Sequence, residues 1–569
     1  MVRGVVKDAA GEPLVGVNVA AGDRGTVTNL DGAYSLSVPA DGELLFSYIG
    51  YLPQTIAVNG RSVINVTMEE DVKELEAVVK IGYGTVRKRD ITGAVASISA
   101  KQIAFIPVPN VAQALQGKMA GVNVITQDGR PDATISIRVR GGGSISQSNE
   151  PLILIDGVPG TLSDVPSDQV ESVDVLKDAA STAIYGARGA NGVVLVTTKG
   201  AKSGKTLVSY NGYAKFNQPI KYLETLNPYE YLTYVWANAD ANGSNYLDSF
   251  TKLFGIGSYG DIERYRDVEA YDIQKKVYNN SFSHNHDLTI SGGTDLTKII
   301  LGINYNDEQG MKVNSFNKRA SVSLKVDQKL NEKMNIGLDT RYVDVTSMSD
   351  EGTTSGAGSI LSYAFRFRPI ATSDILGDLN ALNEGAVEQY GKLSLWDRYD
   401  PYNRISDYEP LRKRQTLRSI GSFNWTLFKG LDYHTDLTLQ RSWNQNKIWG
   451  GPIHNNYLDD TTGEVLHAGS ATMYKGDSWL YRWSNTLSYE IDINEANKLN
   501  VLLGQEVSDS GGSGMTINAD FFPANYTKEN AFAMISQYDK TASTNQSPFS
   551  SSYVTPSRLL SYFARMNYV

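Results

Sequence analysis

The sequence predicts a mainly β protein: a small N-terminal β-sandwich, an α/β unit, and an incomplete antiparallel transmembrane β-barrel. Three observations carry this. Short β-branched runs separated by turn dipeptides fill residues 4 to about 70. Helix and strand signals mix between about 90 and 200, and from about residue 206 apolar and polar side chains alternate in long runs.

The first unit rests on Val15–Val19, Tyr34–Val38, Leu44–Ile49 and Ile64–Met68, punctuated by Gly11-Glu12-Pro13, Asp31-Gly32 and Asp41-Gly42. Such dipeptides supply the backbone angles of tight turns, and the spacing is that of a small all-β domain. A charged bridge follows (Glu69, Glu70, Asp71, Lys73, Glu74). After it Glu76-Ala77-Val78-Val79-Lys80-Ile81 is β-prone and is closed by Gly82-Tyr83-Gly84. The domain boundaries expected are therefore 1–72 for the β-sandwich, 73–89 for the linker, 90–203 for the α/β unit and 204–569 for the barrel wall.

In the α/β unit, Asn110 is placed to cap a helix over Val111–Lys118. Ile135, Ile137 and Val139 alternate with Ser136, Arg138 and Arg140 until Gly141-Gly142-Gly143 stops the strand. Leu152–Ile155 is a fully apolar strand ended by Asp156-Gly157, read as a turn and packing element.

The wall is read from ribbons such as Lys298–Asn306, where Ile299, Leu301, Ile303 and Tyr305 share one face. Arg319–Val326, Lys333–Tyr342, Tyr433–Leu439, Tyr481–Ile491, Leu499–Val507 and Leu560–Tyr568 repeat the pattern, and about ten such strands are expected. Short links (Asp307–Phe316, Asp327–Glu332, Phe428–Leu431) alternate with long ones (about 345–414 and 444–478), as in a membrane barrel. Tyr342, Trp425, Tyr433, Trp443, Tyr481 and Tyr489 stand near strand ends, where interfacial girdles form. A large soluble all-β protein with one buried face per strand satisfies the alternation alone.

Composition narrows the classes. The 569 residues carry no cysteine and a net charge of −9, so disulfides and thiolate metal sites are excluded and a nucleic-acid binder is disfavoured. No run reaches the ~18 apolar residues of a spanning helix. Met1-Val2-Arg3 leads straight into Gly4-Val5-Val6 without the apolar core of a signal peptide, so an export signal is expected outside this sequence.

Four motifs then resemble one family. They are Ala114-Leu115-Gln116-Gly117-Lys118-Met119-Ala120-Gly121-Val122, Ser136-Ile137-Arg138-Val139-Arg140-Gly141, Pro151–Pro159, and Val173–Ala179 running through Ala183-Ile184-Tyr185-Gly186-Ala187-Arg188-Gly189 to Lys199. In this order they resemble the plug of the SusC/RagA group of TonB-dependent outer-membrane transporters, and residues 4–69 resemble the carboxypeptidase-regulatory-like domain that precedes it. Leu226-Asn227-Pro228-Tyr229-Glu230-Tyr231 resembles the segment after the first barrel strand. The resemblance implies a barrel of 22 strands around a plug. About ten strands in the 365 residues after 204 (569 − 204) therefore imply a chain lacking the C-terminal half.

The resemblance also implies a mechanism: force from the inner-membrane protein TonB opens the plug, so no cofactor, metal or catalysis is expected. Glu76, Val78, Val79, Ile81, Gly82, Tyr83 and Gly84 would form the TonB-coupling strand, gripped through main-chain hydrogen bonds. Arg138, Arg140 and Arg188 would hold the plug by pairing with wall carboxylates. Trp396, Asp397, Arg398, Tyr399 and Tyr402 offer aromatic and polar contacts to a glycan, and equally to their own loop. A SusD-like surface lipoprotein and outer-membrane lipid are the other partners implied, with the N-terminal domain in the periplasm of a Gram-negative cell.

Other motifs carry less. Gly200-Ala201-Lys202-Ser203-Gly204-Lys205-Thr206 is one residue short of a phosphate loop and enters a strand. His284 and His286 lack a third metal ligand nearby, and Gly511-Gly512-Ser513-Gly514 reads as a turn. A non-transporting surface binding or adhesion protein is the rival reading. It would need neither residues 76–84 nor the plug.

Overall fold

A computed structural model describes the chain except residues 9–10, 22–23, 30, 40–41, 49–50, 52, 69–77, 82–83, 88–94, 105–107, 109, 127, 144, 147, 243–249, 350–366, 378–399, 456, 460–463, 495–496, 544–548 and 569. Residues Met1–Val95 form one compact unit and Ala96–Val569 a second.

In the first unit β1 (Val2–Lys7), β2 (Asn18–Ala21), β3 (Arg24–Val27), β4 (Ala33–Leu36), β5 (Glu43–Ser47), β6 (Gln54–Ala57) and β7 (Val66–Thr67) make two sheets, ordered β4-β1-β7 and β3-β2-β5-β6. Alternate residues from both sheets meet in one core, including Val6, Val19, Leu44, Phe46 and Met68. Asp31-Gly32 makes the expected turn. Gly32 sits at φ +69, where a Cβ would stand 2.5 Å from the Val6 carbonyl oxygen, so only glycine fits. β8 (Val78–Ile81) and β9 (Gly84–Arg87) form a separate antiparallel ribbon, with Val79 opposite Val86.

The α/β unit supplies β10 (Val95–Ser99), β11 (Val122–Thr126), β12 (Ile135–Val139), β13 (Leu152–Ile155), β14 (Val158–Pro159), β15 (Val170–Leu176) and β16 (Val193–Thr198). Five of these make a mixed sheet ordered β10-β15-β16-β13-β14, while β11 and β12 pair beside it. Asn110 caps a helix as expected, its side chain accepting from the Ala112 N–H. That helix stops at Ala114, short of the predicted Lys118, and the turn after it reaches Gly117 at φ +69.

The wall is a ten-stranded antiparallel meander in sequence order among the described residues. Its strands are β17 (Gly204–Asn217), β18 (Ser281–Gly293), β19 (Thr297–Gln309), β20 (Phe316–Lys329), β21 (Met334–Met348), β22 (Tyr408–Phe428), β23 (Leu431–Gly450), β24 (Ser470–Asn494), β25 (Asn497–Ala519) and β26 (Phe549–Tyr568). One end carries only tight links: 294–296, 330–333, 429–430 and 495–496. The other carries 218–280, 310–315, 349–407, 451–469 and 520–548. The link after β19, read as one of the short set, therefore lies at the long-loop end. Residues Pro228–Asn242 and Tyr259–Tyr265 in the first long link pack their own apolar core around Phe250, Phe254 and Tyr265.

The alternation is inverted relative to a soluble sheet. On β19 Ile299, Ile303 and Tyr305 are about 40% exposed, whereas Asn304 and Asn306 are 1% and 2% exposed. Leu338, Leu437, Leu439, Trp483, Leu503 and Leu560 likewise face out, while Arg341, Arg418, Thr438, Arg482, Ser484 and Glu506 are buried. A greasy convex face and a polar concave face are what a membrane barrel requires. The apolar side is exposed along Ile303, Leu338, Leu439 and Leu503, and the polar side meets the α/β unit.

Candidate functional site: the seam between plug and wall

The seam is built from turns of the α/β unit and inward-pointing side chains of the wall. At the end of β13 the chain reverses through Asp156 (φ 51) and Gly157 (φ +86). This brings the Asp156 carboxylate to the Thr198 N–H at 3.0 Å and its hydroxyl at 2.7 Å. From the wall, the Lys325 ammonium reaches Asp156 at 3.1 Å and Asp339 at the same distance. Burial alone would raise the Asp156 carboxyl. The Lys325 charge, the Thr198 N–H, and then Arg341 and Arg418 outweigh it and hold the group well below the usual carboxylate range.

A second contact set lies at the one-turn segment Ser167–Gln169. Gln169 donates to Asp287 of β18 at 3.1 Å and accepts from the Ser323 hydroxyl of β20 at 3.2 Å. Asn285 donates to Asp168 at 3.1 Å. Gly302 of β19 makes room for this, since a Cβ there would stand 2.8 Å from the Gln169 amide nitrogen.

At the neighbouring turn, Arg414 pairs with Asp164 at 2.7 Å, and Arg319 donates to the Ser163 carbonyl at 3.1 Å. Ser349 donates to Asp132 at 2.5 Å. On the far side, Arg188 reaches Glu506 of β25 at 3.2 Å, and Arg482 of β24 grips the same carboxylate at 2.8 Å. Beside the Thr161–Ser163 turn, a cavity of about 510 Å³ opens among Asp132, Glu150, Arg319, Arg412, Arg414 and Asn444. Its size suits a small-molecule or oligomer segment.

The residues singled out by sequence fall differently. Arg188 stands beside a wall carboxylate. Arg138 and Arg140 do not share one strand face, because β12 ends at Val139 and Arg140 turns out of line at φ 56. Among the described residues neither has a side-chain ion pair. Most of the seam runs in the opposite sense, with carboxylates on the plug and cations on the wall. Asp156, read as a turn residue, is both a turn and an ion-pair anchor. The inner positions of the period-two ribbons, Arg319, Lys325 and Arg341, were the available signal, because a charge on a strand's concave side needs a partner.

In the coupling segment, Val78, Val79, Ile81 and Gly84 lie in the β8–β9 ribbon, whereas Glu76, Gly82 and Tyr83 lie outside the described residues. Trp396, Asp397, Arg398 and Tyr399 also lie outside them. Tyr402 packs half-buried against Ile273, Val277, Phe367 and Ile405, a loop-core position.

Comparison with known proteins gives this geometry a context. Residues 87–193 match the TonB-dependent Receptor Plug Domain, and residues 2–80 match the CarboxypepD_reg-like domain. The TonB-dependent receptor SusC of Bacteroides thetaiotaomicron is 36% identical over 57% of this chain and 32% of its own. The TonB-dependent receptor P3 of Formosa agariphila is 30% identical over 99% of this chain and 52% of its own. The chain is similar to SusC-like TonB-dependent receptors along almost its whole length. It spans about half the length of the curated receptors it matches, or less. The same fold is found in the RagAB peptide importer in its open-open state, at TM-score 0.71 and 24% identity, over 87% of this chain and 55% of that one. For a SusC-like receptor, the α/β unit is the plug and the ten-stranded sheet its barrel wall.

Proposed function

We propose that this chain serves TonB-driven import of a bulky nutrient, an oligosaccharide or similar oligomer, across a Gram-negative outer membrane. The observation that carries the reading is the seam. The plug is held in the wall by discrete ion pairs and hydrogen bonds at turns, an attachment that water can replace as the plug is pulled. A continuous apolar interface would have to expose its whole area at once.

Residues 76–84 are assigned the coupling role, with β8 offering a strand edge to TonB while the N-terminal domain sits in the periplasm. The long-link end faces outward, where a SusD-like lipoprotein would close over the polar cavity. Arg188 steadies the plug directly through Glu506. Trp396, Asp397, Arg398 and Tyr399 are assigned contact with the substrate, while Tyr402 serves the core of its own loop. The amide, hydroxyl and guanidinium lining of the cavity supports a hydroxyl-rich ligand, and the role is transport, without catalysis.

The test removes residues 76–84 from the chromosomal gene and measures uptake and surface binding of labelled oligosaccharides beside labelled peptides. Uptake should vanish while surface binding persists. Unchanged uptake ends the coupling assignment, and loss of neither process on deleting the whole gene ends the transport reading.

A further inference from the structure

The concave face of β20, β21 and β22 carries a column of cations that the plug covers. Row by row in the strand pairing, Arg412 stands nearest the long-link end, and Arg414 and Arg319 flank Val345 in the next row. Further down, Arg418 faces Arg341, and Lys325 faces Asp339. From Arg412 to the row of Lys325 is eight positions along β22 (420 − 412, with Ile420 opposite Asp339), about 27 Å at ~3.4 Å per residue. Over that stretch the concave positions of the three strands hold six cations and one carboxylate, Asp339.

Such a column cannot neutralise itself. Two partners come from the plug, Asp164 holding Arg414 at 2.7 Å and Asp156 holding Lys325 at 3.1 Å. The row between them is left over. Arg341 and Arg418 are 3% and 6% exposed and form no ion pair among the described residues. Nε and Nη1 of Arg341 and Nη2 of Arg418 are buried and find no acceptor there. Two guanidinium groups side by side and out of water repel, and each is a fork shaped for an oxyanion. At its upper end the column opens into the 510 Å³ cavity through Arg319, Arg412 and Arg414.

We propose that this column is the track for an acidic oligosaccharide, one bearing carboxylate or sulfate groups, and that Asp156 and Asp164 stand in for its anions while the plug is seated. The proposal rests on the import reading above and narrows its cargo. When the plug is drawn away its two carboxylates leave with it, and a buried cation stripped of its partner is costly. Cargo that carries its own anions replaces them, and arginine forks bind such groups bidentately. A neutral glycan would leave the column bare. The rest of the cavity lining favours a saccharide over an acidic peptide: Asn306, Asn317, Asn444 and Asn446 each offer donors and an acceptor, as neighbouring hydroxyls need.

The experiment follows uptake by cells carrying the chromosomal gene. The labelled probes are oligogalacturonate and a sulfated oligosaccharide, their methyl-esterified and desulfated forms, and oligoglutamate. An acidic saccharide should enter about tenfold faster than its neutral counterpart, or more. The double variant Arg341→Gln, Arg418→Gln should reduce that entry about tenfold, whereas lysine at both positions keeps the charge and most of the uptake. Immunoblots of the outer membrane separate a transport defect from a folding one. If the glutamine variant does not reach the membrane, the acidic-to-neutral ratio of the native receptor decides. Equal entry of acidic and neutral forms, or a double variant of unchanged selectivity, overturns the track and leaves import intact. Entry of oligoglutamate alone overturns the saccharide assignment, and entry of none of the probes overturns the proposal. The import reading itself falls only if deleting the gene changes neither uptake nor surface binding of any oligomer.

Discussion

Arg188 and Glu506 meet at 3.2 Å although 318 positions of chain lie between them. Glu506 is 2% exposed and also holds Arg482, so one wall carboxylate is shared by two cations. Glu506→Gln should cost about 3–5 kcal/mol and loosen the plug, because it breaks the buried Arg482–Glu506 pair together with the Arg188 contact. Arg188→Ala should cost about 1 kcal/mol or less, since that side chain is 45% exposed. Hydrogen exchange across 179–192 measures both, and equal effects would refute the division of roles.

Acid should release the opposite side of the plug. Asp156 is held below its ordinary value of 3.8, so its contribution is full above that pH and is lost as pH falls through the lower folded value. Protection of plug amides near Thr198 should therefore be level from pH 7 to 5 and decline below 3.8. Asp156→Asn should lower it at neutral pH by about 1.5–3 kcal/mol and flatten the acid limb. An unchanged acid limb in the variant would assign the pH response elsewhere.

Gly192→Ala should destabilise the plug by about 1–3 kcal/mol. Gly192 sits at φ +90, and a Cβ there would stand 2.9 Å from the Val139 Cβ. Val139 is on β12 and Gly192 immediately precedes β16, so the clash would separate two sheets. Urea unfolding followed at the plug, with the wall transition unmoved, is the expected record.

Ile303→Arg tests which way the wall faces. Ile303 is 41% exposed midway up β19, and a charge at the midplane of a bilayer costs about 2–4 kcal/mol. Unfolding from lipid vesicles should show that loss. A neutral effect would mean that water covers the convex face.

The wall was legible because the pleat imposes period two on any strand with unlike surroundings on its faces. Ile299, Leu301 and Ile303 against Asn304 and Asn306 state this in residue order alone. Turns were legible where glycine is sterically required, as at Gly32. The sense of the plug's ion pairs was not, because it depends on which plug turn meets which strand. Lys325 reaches Asp156 across 169 positions, and nothing local to either residue specifies that register. Arg140 misled for a related reason: alternation continued in the letters after the backbone had already left the strand.

The central strands are taller than the bilayer requires. Arg441 lies ten positions from the tight-link end of β23 (441 − 431) and pairs with Asp477 of β24 at 3.0 Å. Ten residues at ~3.4 Å, tilted by ~40°, rise about 26 Å, the thickness of a barrel's apolar band. β23 continues nine positions beyond Arg441 to Gly450, and β24 begins seven positions before Asp477. Seven residues at ~3.4 Å, leaning ~40° from the barrel axis, add about 18 Å of hydrogen-bonded palisade at the long-link end. Such a rim is already ordered backbone, so a group resting on it would meet a stiff edge and need not freeze a floppy one.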